Sequence, residues 1–555
     1  MRALRIAAAV VALAALVFGC WLLSLDGQQL HADTERWFGY SVAPDYPDKL
    51  PLPTLHQLLL SMVPWFLLAV ATAASSRLAA ALRRFIGDGT AFLVEAFRKG
   101  WGGIAPWEKW WLVLSIGACI ALRGAWAVID PPMLDEAITW LFFAGRGSLV
   151  SVAFYAAPNN HVLHSAIAAL LGMLPLDPLI ALRAPSLLAS ALVHGALYLL
   201  MRRITGSFGA MLGSAIAMGA PLMLQYGHLG RGYALLALAA VVAIGAATCW
   251  LRHYDQRALR LFCMACCVGT LTMPSFLYAV AALFVGLAMV SAQRRQVARA
   301  AVVVILSVAV LYAPALIISG PRAFMENRWV APIGHDVLIK GWFPHFARVA
   351  EGILGIPYAL PAMLIAPLAA IALARRETRR TALFISWMVL FAMTTPLIHG
   401  VLPFERTWIY LIIPVSLCAA LVLDRFPIAA RWSWCAVPLV VLGFSAQVVR
   451  LRSRLPELEA EAFQAARGCE LLRAMKPDGL LLGAQPLSTY VLFDIERSAA
   501  DLPWTCYEGV SSGMPGDRIG IVASDDDHLE GGADSLLFRA QTGQSIWLRD
   551  PAIHD

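Results

Sequence analysis

An acidic pair, Asp135-Glu136 in the segment MLDEAITW, is the feature of this chain best suited to do chemistry. The pair follows an apolar stretch at 110–129, and a polar run, PNNH at 158–161, comes soon after it. Carboxylates at a membrane boundary lose hydration, so they are usually retained for chemistry or for pairing with a cation. A carboxylate that reaches a hydroxyl or an amine can remove its proton as that group attacks. The segment therefore predicts a site for general-base catalysis.

The chain is predicted to be a polytopic α-helical membrane protein. Hydrophobic residues make up 59% of its 555 residues, charged residues make up 14%, and the mean hydropathy is +0.68. Apolar runs of about 20 residues, the length that crosses roughly 30 Å of hydrocarbon, recur along the sequence and predict about thirteen transmembrane helices. The predicted spans are 6–25, 55–75, 110–129, 185–201, 208–225, 233–251, 259–272, 274–290, 298–319, 353–374, 381–398, 408–423 and 433–449.

The distribution of arginine and lysine predicts the orientation. Basic residues in short loops hold those loops in the cytoplasm. With the N-terminus inside, the basic clusters at 83–84, 202–203, 252–260 and 375–380 also fall inside. The acidic pair and the C-terminal tail then face outward, and we expect a bacterial inner membrane with both in the periplasm. No convincing cleavage site follows the first span, which is therefore expected to remain as an anchor.

Three regions follow from this layout. Residues 1–104 are expected to form two N-terminal transmembrane helices and a cytoplasmic linker. Residues 105–450 are expected to form a transmembrane catalytic core with a long outer loop at 130–184, and residues 451–555 a soluble domain. The tail holds 9 basic and 17 acidic residues, so the net charge of +7 comes from the membrane part. That charge reflects topology, and no nucleic-acid partner is expected.

The tail is predicted to be a small α/β domain on the outer face. Helical character at 456–475 is followed by short strands at 479–483, 518–523 and 545–548, separated by turns rich in Gly, Pro and Asp. Cys469 and Cys506 are the two cysteines of the tail, and an oxidising compartment favours a disulfide between them.

Two arginines in the predicted outer loops could bind a phosphate. Arg231 lies at the edge of a span in YGHLGRG, and Arg406 comes just before another span. A carboxylate and several cations on one face of a membrane suit the transfer of a sugar from a polyprenyl phosphate to an acceptor. The departing lipid phosphate gains negative charge, which preorganised arginines stabilise more in the transition state than in the ground state.

The acidic pair is expected to divide its roles. Asp135 is the predicted base, and Glu136 is predicted to orient it, to hold the acceptor or to bind a cation. Adjacent side chains diverge on a regular backbone, so the two carboxylates should not act alike. The residues predicted to bind substrate or acceptor are Asn159, Asn160, His161 and His164.

The order and spacing of several segments resemble the GT-C class of membrane glycosyltransferases. These segments are LR at 122–123, LDEA at 134–137, PNNHVLH at 158–164, ALRAPS at 181–186, GRGYAL at 230–235 and PFERTW at 403–408. Within the class the chain is most similar to family 39, the protein O-mannosyltransferases and lipid A aminoarabinose transferases. The resemblance implies an inverting transfer from a polyprenyl-phosphate sugar with Asp135 as base. Two extra N-terminal spans and the tail depart from the pattern, which leaves the acceptor open between protein, glycan and lipid.

The carboxylates and histidines allow other interpretations. The acidic pair could be the charged start of an interfacial helix. His161 and His164, three residues apart, could mark a helix start capped by Asn160. The two histidines could instead bind a divalent metal together with Glu136, and a metal is the one cofactor that the sequence leaves open.

The arginines allow other interpretations too. Arg231 could extend to lipid phosphates, and Arg406 could pair with Glu405 or with lipid. Arg123 and Arg183 are interpreted as anchors at the membrane interface.

A transporter or lipid flippase is the alternative function. Such a protein would also be polytopic, but its ionisable groups should lie near the bilayer midplane on interrupted helices. In this chain the predicted midspan positions are almost free of charge, and polar residues gather towards one surface. The sequence therefore favours the glycosyltransferase. An inactive scaffold that presents the tail has no internal repeat to support it.

Overall fold

The computed structural model describes residues 2–38, 52–155, 158–325 and 332–426, together with five strands and some helical positions in the rest of the chain. The described part up to residue 426 is helical. Its first ten α-helices are α1 (Arg2–Ser24), α2 (Gly27–Phe38), α3 (Leu55–Ala74), α4 (Ser76–Gly102), α5 (Pro106–Ile129), α6 (Leu134–Phe142), α7 (Ser148–Ala153), α8 (Val162–Leu171), α9 (Pro178–Arg202) and α10 (Ser207–Gly219).

Ten further α-helices complete the described membrane part. They are α11 (Pro221–Tyr226), α12 (Tyr233–His253), α13 (Gln256–Thr272), α14 (Leu277–Val290), α15 (Arg294–Ser319), α16 (Arg322–Met325), α17 (His335–Leu354), α18 (Ala359–Leu373), α19 (Arg379–His399) and α20 (Ile412–Leu423). Single 3-10 turns occur at Ala144–Arg146 and Pro274–Phe276, and a longer 3-10 segment, Glu405–Leu411, leads into α20.

Among the described residues, eight helices are long and apolar enough to cross a membrane, or nine if α17 and α18 form one bent span. The eight are α1, α3, α5, α9, α12, α15, α19 and the continuous segment Glu405–Leu423. Shorter apolar helices are α8, α10 and the segment Pro274–Val290. A polytopic helical membrane protein is therefore confirmed. The number of about thirteen spans stays a prediction, and most of the span at 433–449 lies outside the described residues.

Two predicted spans are interrupted in the structure. The span at 208–225 divides into α10 and α11 because Pro221, at the first position of α11, lacks the N–H that would continue α10. The span at 353–374 is broken by a bend of 76° between α17 and α18. Gly355 (φ 72°) and Tyr358 (φ 57°) adopt left-handed conformations at this bend. The 20-residue α17 occupies an interval where the sequence predicted no helix.

The N-terminal helices pack against the side of the bundle. α1 contacts α3, and α3 contacts α15. A capping box starts α3, since Thr54 and Gln57 each accept the other's backbone N–H through their side chains. The residues after α3, which were expected to form a cytoplasmic linker, include the 27-residue α4, which packs on α13. Arg257 of α13 also forms an exposed ion pair with Glu95 of α4 at 2.9 Å.

The centre of the bundle is formed by α9, α12 and α20. α12 packs against both α9 and α13. Its alanines and glycine let neighbouring helices approach closely, which is how helices associate where lipid replaces water. Trp250 and Tyr198 fill this core and are fully buried.

The interval 130–184, expected as one outer loop, folds into α6, α7, α8 and the start of α9. Its apolar side chains form a second core with the N-terminal helices. Phe154 makes an edge contact with Phe38 of α2, with ring centroids 5.4 Å apart. This core supports the back of α6, the helix that carries Asp135 and Glu136.

The tail contains a five-stranded sheet of order β2-β1-β3-β5-β4. β1 (Gly479–Leu482) is parallel to β2 (Thr505–Glu508) and to β3 (Ile519–Ser524). β5 (Gln544–Arg549) is antiparallel to β3 and to β4 (Asp534–Arg539). The strands predicted near β1, β3 and β5 are confirmed, whereas β2 and β4 were not predicted. The predicted helix at 456–475 lies almost wholly outside the described residues, so the α/β class of the tail stays a prediction.

A short part of the tail contacts the core behind α6. Phe493 is 1% exposed and Tyr490 is 7% exposed, and both belong to the second core. Arg497 donates to Asp177 at 2.7 Å, just before α9. These contacts dock the tail onto the folded interval 130–184.

We predict that Phe493→Ala loosens this docking. Removing a buried phenylalanine costs about 3–5 kcal/mol where the surroundings do not collapse. Limited proteolysis of the full-length protein should therefore cut within 451–555 faster in the variant. Phe426→Ala is the control because Phe426 is 58% exposed. Equal cleavage rates in the two variants would contradict the docking role of Phe493.

Candidate active site

A cavity of about 1020 Å3 lies against α6, α12, α14, α15 and α19. Among the described residues that line it, Asp135 is the carboxylate and Arg231 and Arg406 are the two guanidinium groups. Most of the remaining wall is apolar or aromatic. The predicted base and the predicted phosphate-binding cations are thus brought together at one place.

Asp135 lies between the two arginines. Its Oδ2 is 3.0 Å from Nη2 of Arg406 and 3.6 Å from Nη2 of Arg231. Its Oδ1 accepts a hydrogen bond of 3.2 Å from Nδ2 of Asn159. The side chain keeps 24% exposure because it lies in the first turn of α6, facing the cavity. The carboxylate is therefore accessible and held by three polar partners.

Arg231 is anchored by neutral acceptors as well as by the carboxylate. Its Nη1 donates to the backbone carbonyl of Asp135 at 3.0 Å and to Oγ1 of Thr139 at 3.3 Å. Its Nη2 donates to Oδ1 of Asn159 at 3.1 Å. The residue is only 2% exposed. This burial rules out the alternative in which Arg231 extends to lipid, and it fixes the guanidinium before any substrate arrives.

The glycines on either side of Arg231 are required by close packing. A Cβ at Gly230 would lie 2.7 Å from Cβ of Leu182 and 2.9 Å from Oε1 of Glu136. A Cβ at Gly232 would lie 2.7 Å from Cγ2 of Thr272 and 3.0 Å from Cβ of His161. The GRG sequence therefore lets the backbone that carries Arg231 pass between α9 and the turn before α8.

Glu136 points away from the cavity into the protein. It is fully buried, and Arg183 donates to its Oε1 at 2.9 Å and to its Oε2 at 2.6 Å. The backbone N–H groups of Met133 and Gly230 also donate to this carboxylate. Glu136 was predicted to orient Asp135, to hold the acceptor or to bind a cation. In the structure its carboxylate instead holds Arg183, the start of α6 and the GRG segment.

The interpretation of Arg183 as an interfacial anchor is wrong. Arg183 is 1% exposed, and besides Glu136 it donates to the carbonyls of Ala127, Asp130 and Pro131 at 2.7–2.9 Å. Arg123 is also buried rather than interfacial, at 2% exposure, with one hydrogen bond of 3.3 Å to the carbonyl of Met218. Their flanking apolar sequence gave no sign of these internal partners.

Arg406 reaches the cavity from the segment that precedes α20. Its guanidinium carbon lies 4.6 Å from the ring centroid of Phe404. Glu405 pairs with Arg348 at 2.7 Å, so the alternative in which Arg406 pairs with Glu405 is wrong. Arg406 keeps 23% exposure, more than Arg231, and is the more accessible of the two cations.

The four predicted substrate-binding residues separate into two pairs. Asn159 and His161 line the cavity. Nδ1 of His161 accepts the N–H of Gly232 at 2.7 Å, which leaves the proton of the neutral ring on Nε2, beside Arg231. Asn160 and His164 are fully buried and are not among the described lining residues.

Asn160 and His164 hold the local fold. Nδ2 of Asn160 donates to the carbonyls of Ser151 and Phe154 at 2.8 and 2.6 Å. The N-cap of α8 is His161, without a side-chain cap, so the alternative of a helix capped by Asn160 is wrong. His164 contacts Oγ of Ser186, whose hydroxyl donates to the carbonyl of Arg231.

The residues proposed for a metal do not form a metal-binding group. Among the described residues, no three His, Cys, Asp or Glu side chains are placed to hold an ion. Both carboxylate oxygens of Glu136 are taken by Arg183, and Nδ1 of His161 is taken by a backbone N–H. Of the predicted Cys469–Cys506 disulfide, Cys469 and the side chain of Cys506 lie outside the described residues.

The electrostatics of the site keep Asp135 ionised and His161 neutral. Burial raises the pKa of Asp135, but Arg231 and Arg406 outweigh it and hold that pKa below its ordinary 3.8. Burial also raises the pKa of Glu136, and Arg183 brings it below 4.5. Burial and the charge of Arg231 put the pKa of His161 well below 6.5.

Several cavity residues were not predicted from the sequence. Tyr155 stacks on Phe324 with ring centroids 4.2 Å apart. At another wall Oη of Tyr278 lies 2.6 Å from Nδ1 of His399. They come from segments far apart in sequence, and single aromatic residues in apolar helices carry no motif that would single them out.

The chain shares its fold, the GT-C fold, with a solved membrane protein, ArnT. The crystal structure of ArnT from Cupriavidus metallidurans bound to undecaprenyl phosphate matches at 15% identity with a TM-score of 0.55. The match covers 80% of this chain and 99% of that one. The apo structure of the same protein matches at 15% identity and a TM-score of 0.55, covering 81% and 99%. No family model and no curated protein sequence matches the chain. The predicted GT-C fold is thus confirmed.

We predict that Glu136→Gln strongly destabilises the protein. It leaves Arg183 buried without its charge partner, which costs about 3–5 kcal/mol in comparable pairs. Unfolding in a denaturing detergent, followed by circular dichroism, measures the loss. Glu95→Gln is the control, because its pairs with Lys99 and Arg257 are exposed to solvent and should contribute little to stability. If the Glu136→Gln protein is as stable as the control, the Glu136–Arg183 pair does not have the structural role assigned to it.

Proposed function

We propose that the protein is a glycosyltransferase that moves a hexose or pentose from a polyprenyl-phosphate donor to an acceptor with inversion. The observation that carries this proposal is the position of Asp135 between Arg231 and Arg406 at the wall of a largely apolar cavity. An isolated acid or an isolated arginine would allow many functions. A candidate base held between two cations that could bind a phosphate favours one function, the transfer of a group away from an anionic leaving group.

Arg231 and Arg406 would bind the donor phosphate. A phosphodiester carries one negative charge, and its leaving group gains a second charge as the bond to the sugar breaks. Fixed guanidinium groups stabilise that second charge without reorganising. Arg231 has this fixed geometry because Thr139 and Asn159 hold it. Arg406, the more exposed of the two, would adjust to the incoming phosphate.

Asp135 would take the acceptor's proton. In the empty site its pKa is low because both arginines face it, so it is ionised but a weak base. A bound phosphate shares the arginines' positive charge, which raises the basicity of Asp135 when the donor is in place. Donor binding would therefore both supply the sugar and activate the base.

A single carboxylate in the cavity supports inversion. A double displacement needs a second carboxylate about 5 Å from the first to form a covalent sugar intermediate. Asp135 is the one acid among the described residues of the wall, and Glu136 is occupied by Arg183. The acceptor would then attack directly, opposite to the departing phosphate.

The apolar walls suit the donor's lipid. Leu277, Val308 and Leu316 are among the lining residues, and a polyprenyl chain needs such a surface. The ArnT structure of the same fold was obtained with undecaprenyl phosphate, which supports a polyprenyl donor here. The sugar could lie between this surface and the polar cluster of Asn159 and His161.

We further propose that the site faces the periplasm of a bacterial inner membrane, with the N-terminus cytoplasmic. The basic loops between spans support this orientation. The tail would then be periplasmic, attached beside α6 through Phe493 and Arg497. The acceptor, whether protein, glycan or lipid, would approach from the same side.

The decisive test is sugar transfer by Asp135→Asn, which keeps the shape and removes the base. Membranes that contain the full-length protein are supplied with radiolabelled polyprenyl-phosphate sugars, and transfer to endogenous acceptors is counted. We expect a loss of about 10²–10⁴-fold, the usual contribution of a general base.

Asp177→Asn is the matched control, since Asp177 belongs to the same interval but pairs with Arg497 outside the cavity. It should retain activity close to wild type. Equal activity of Asp135→Asn and Asp177→Asn would place the base elsewhere. Absence of transfer by a folded wild-type protein with every donor would favour a transporter.

The pH profile of kcat/KM gives an independent test. The pKa of Asp135 is lowered in the empty site, so its carboxylate form is present at neutral pH and is lost only as pH falls through a value below 3.8. His161, with a pKa well below 6.5, stays neutral. Neither residue should therefore cause a change in kcat/KM between about pH 5 and 8. A limb near 6.5 that disappears in His161→Gln would contradict this assignment.

A further inference from the structure

A second cavity lies at the end of the bundle opposite to the candidate active site. Four transmembrane segments connect the two places. α9 and α12 begin beside the active site and end at Arg202 and His253, α19 runs from Arg379 to His399, and the segment Glu405–Leu423 ends next to Asp424. The 21 residues of α12 span about 31 Å at the rise of an α-helix. The two cavities are thus about one hydrocarbon thickness apart.

We define the basic cleft as this second cavity, of about 1010 Å3, together with its arginines. They are Arg203, Arg252, Arg425 and the four arginines of the segment 375–380. They come from the ends of α9, α12, α18 and α20 and from the start of α19. The described lining contains two acids, Glu377 and Asp424. Four chain segments, those at the ends of α9, α12, α18 and α20, therefore bring positive charge to one concave surface.

The acids do not neutralise the cleft. Oδ1 of Asp424 accepts the backbone N–H of Gly206 at 2.5 Å, and Oδ2 is 3.6 Å from Arg375. Arg203 and Arg252 donate to backbone carbonyls. Arg376, Arg379, Arg380 and Arg425 are exposed and form no ion pair with the described residues.

Two ordinary causes explain only part of this charge. Basic residues in loops fix topology, and that requirement is met by any position in a loop. Cations near the ends of α9, α12 and α20 also interact favourably with the helix dipoles. Neither cause requires arginines of separate loops to surround one cavity, where like charges repel at short range. At the start of α19 the helix dipole adds to the repulsion.

We propose that the basic cleft binds the phosphate groups of an anionic ligand at the membrane interface. Guanidinium groups bind phosphate oxygens through paired, charge-assisted hydrogen bonds. Basic pockets between transmembrane helices are suited to lipids with several phosphates. The volume is large enough for a headgroup with more than one phosphate, and the position at the ends of spans places it at headgroup depth. This inference does not depend on the proposed transfer reaction.

The test compares ligand binding by matched arginine pairs. Full-length protein, delipidated in neutral detergent, is titrated with cardiolipin, and bound lipid is counted by native mass spectrometry. Phosphatidylcholine serves as the ligand without net charge. Arg379→Gln/Arg380→Gln should weaken cardiolipin binding about tenfold or more, because two charge-assisted contacts are lost. Arg295→Gln/Arg299→Gln, which removes two exposed arginines outside the cleft, should change it less than about twofold.

Two further arms complete the test. Arg379→Lys/Arg380→Lys keeps the charges that set topology, so a loss in this variant cannot come from inverted insertion. Competition by inorganic pyrophosphate identifies the source of the ligand: weak competition indicates a lipid headgroup, and binding as tight as that of cardiolipin indicates a soluble phosphate compound. The proposal would be overturned if Arg379→Gln/Arg380→Gln and Arg295→Gln/Arg299→Gln weakened cardiolipin binding equally. It would also be overturned if the protein bound cardiolipin no more tightly than phosphatidylcholine.

Discussion

The buried ion pair between Glu136 and Arg183 is the interaction on which the candidate site depends. Arg183 closes the turn after α5 through three backbone carbonyls, and Glu136 fixes the start of α6 and the N–H of Gly230. One pair therefore connects α5, α6, α9 and the segment before α12. A buried pair of this kind is costly to desolvate, and removing either partner leaves the other charge uncompensated. This arrangement therefore determines the geometry around Asp135.

Adjacent residues of α6 take different roles because of helix geometry. Successive side chains are about 100° apart around a helix, so Glu136 faces the interior while Asp135 faces the cavity. The apolar face of α6 packs on a core shared with the N-terminal helices and with Phe493 of the tail. The N-terminal helices and the tail thus meet behind α6, the helix that carries the candidate base. They could influence the site without touching substrate.

The sequence predicted what depends on local composition. Long apolar runs gave the main spans, and the types and positions of Asp135, Arg231 and Arg406 were enough to group them. Prediction from the sequence failed for residues whose role is decided by a partner distant in sequence. Arg183 looked interfacial because its neighbours are apolar, and Asn160 was predicted to bind substrate because Asn-Asn-His is a polar run. Only the folded chain supplies the carbonyls of Ser151 and Phe154 that bury Asn160. α17 was missed because its charged and polar residues break the apolar run.

Charge balance explains why two arginines and one acid are sufficient for the proposed reaction. The empty site contains two positive charges and one negative charge, and a bound phosphodiester makes it neutral. When Asp135 takes the acceptor's proton it becomes uncharged, and the released lipid phosphate carries two negative charges, so the sum is again zero. A largely apolar cavity penalises any net charge that is left unpaired. Charge therefore moves from the carboxylate to the phosphate between the same two arginines, and neither end of the reaction leaves an unbalanced charge in the cavity.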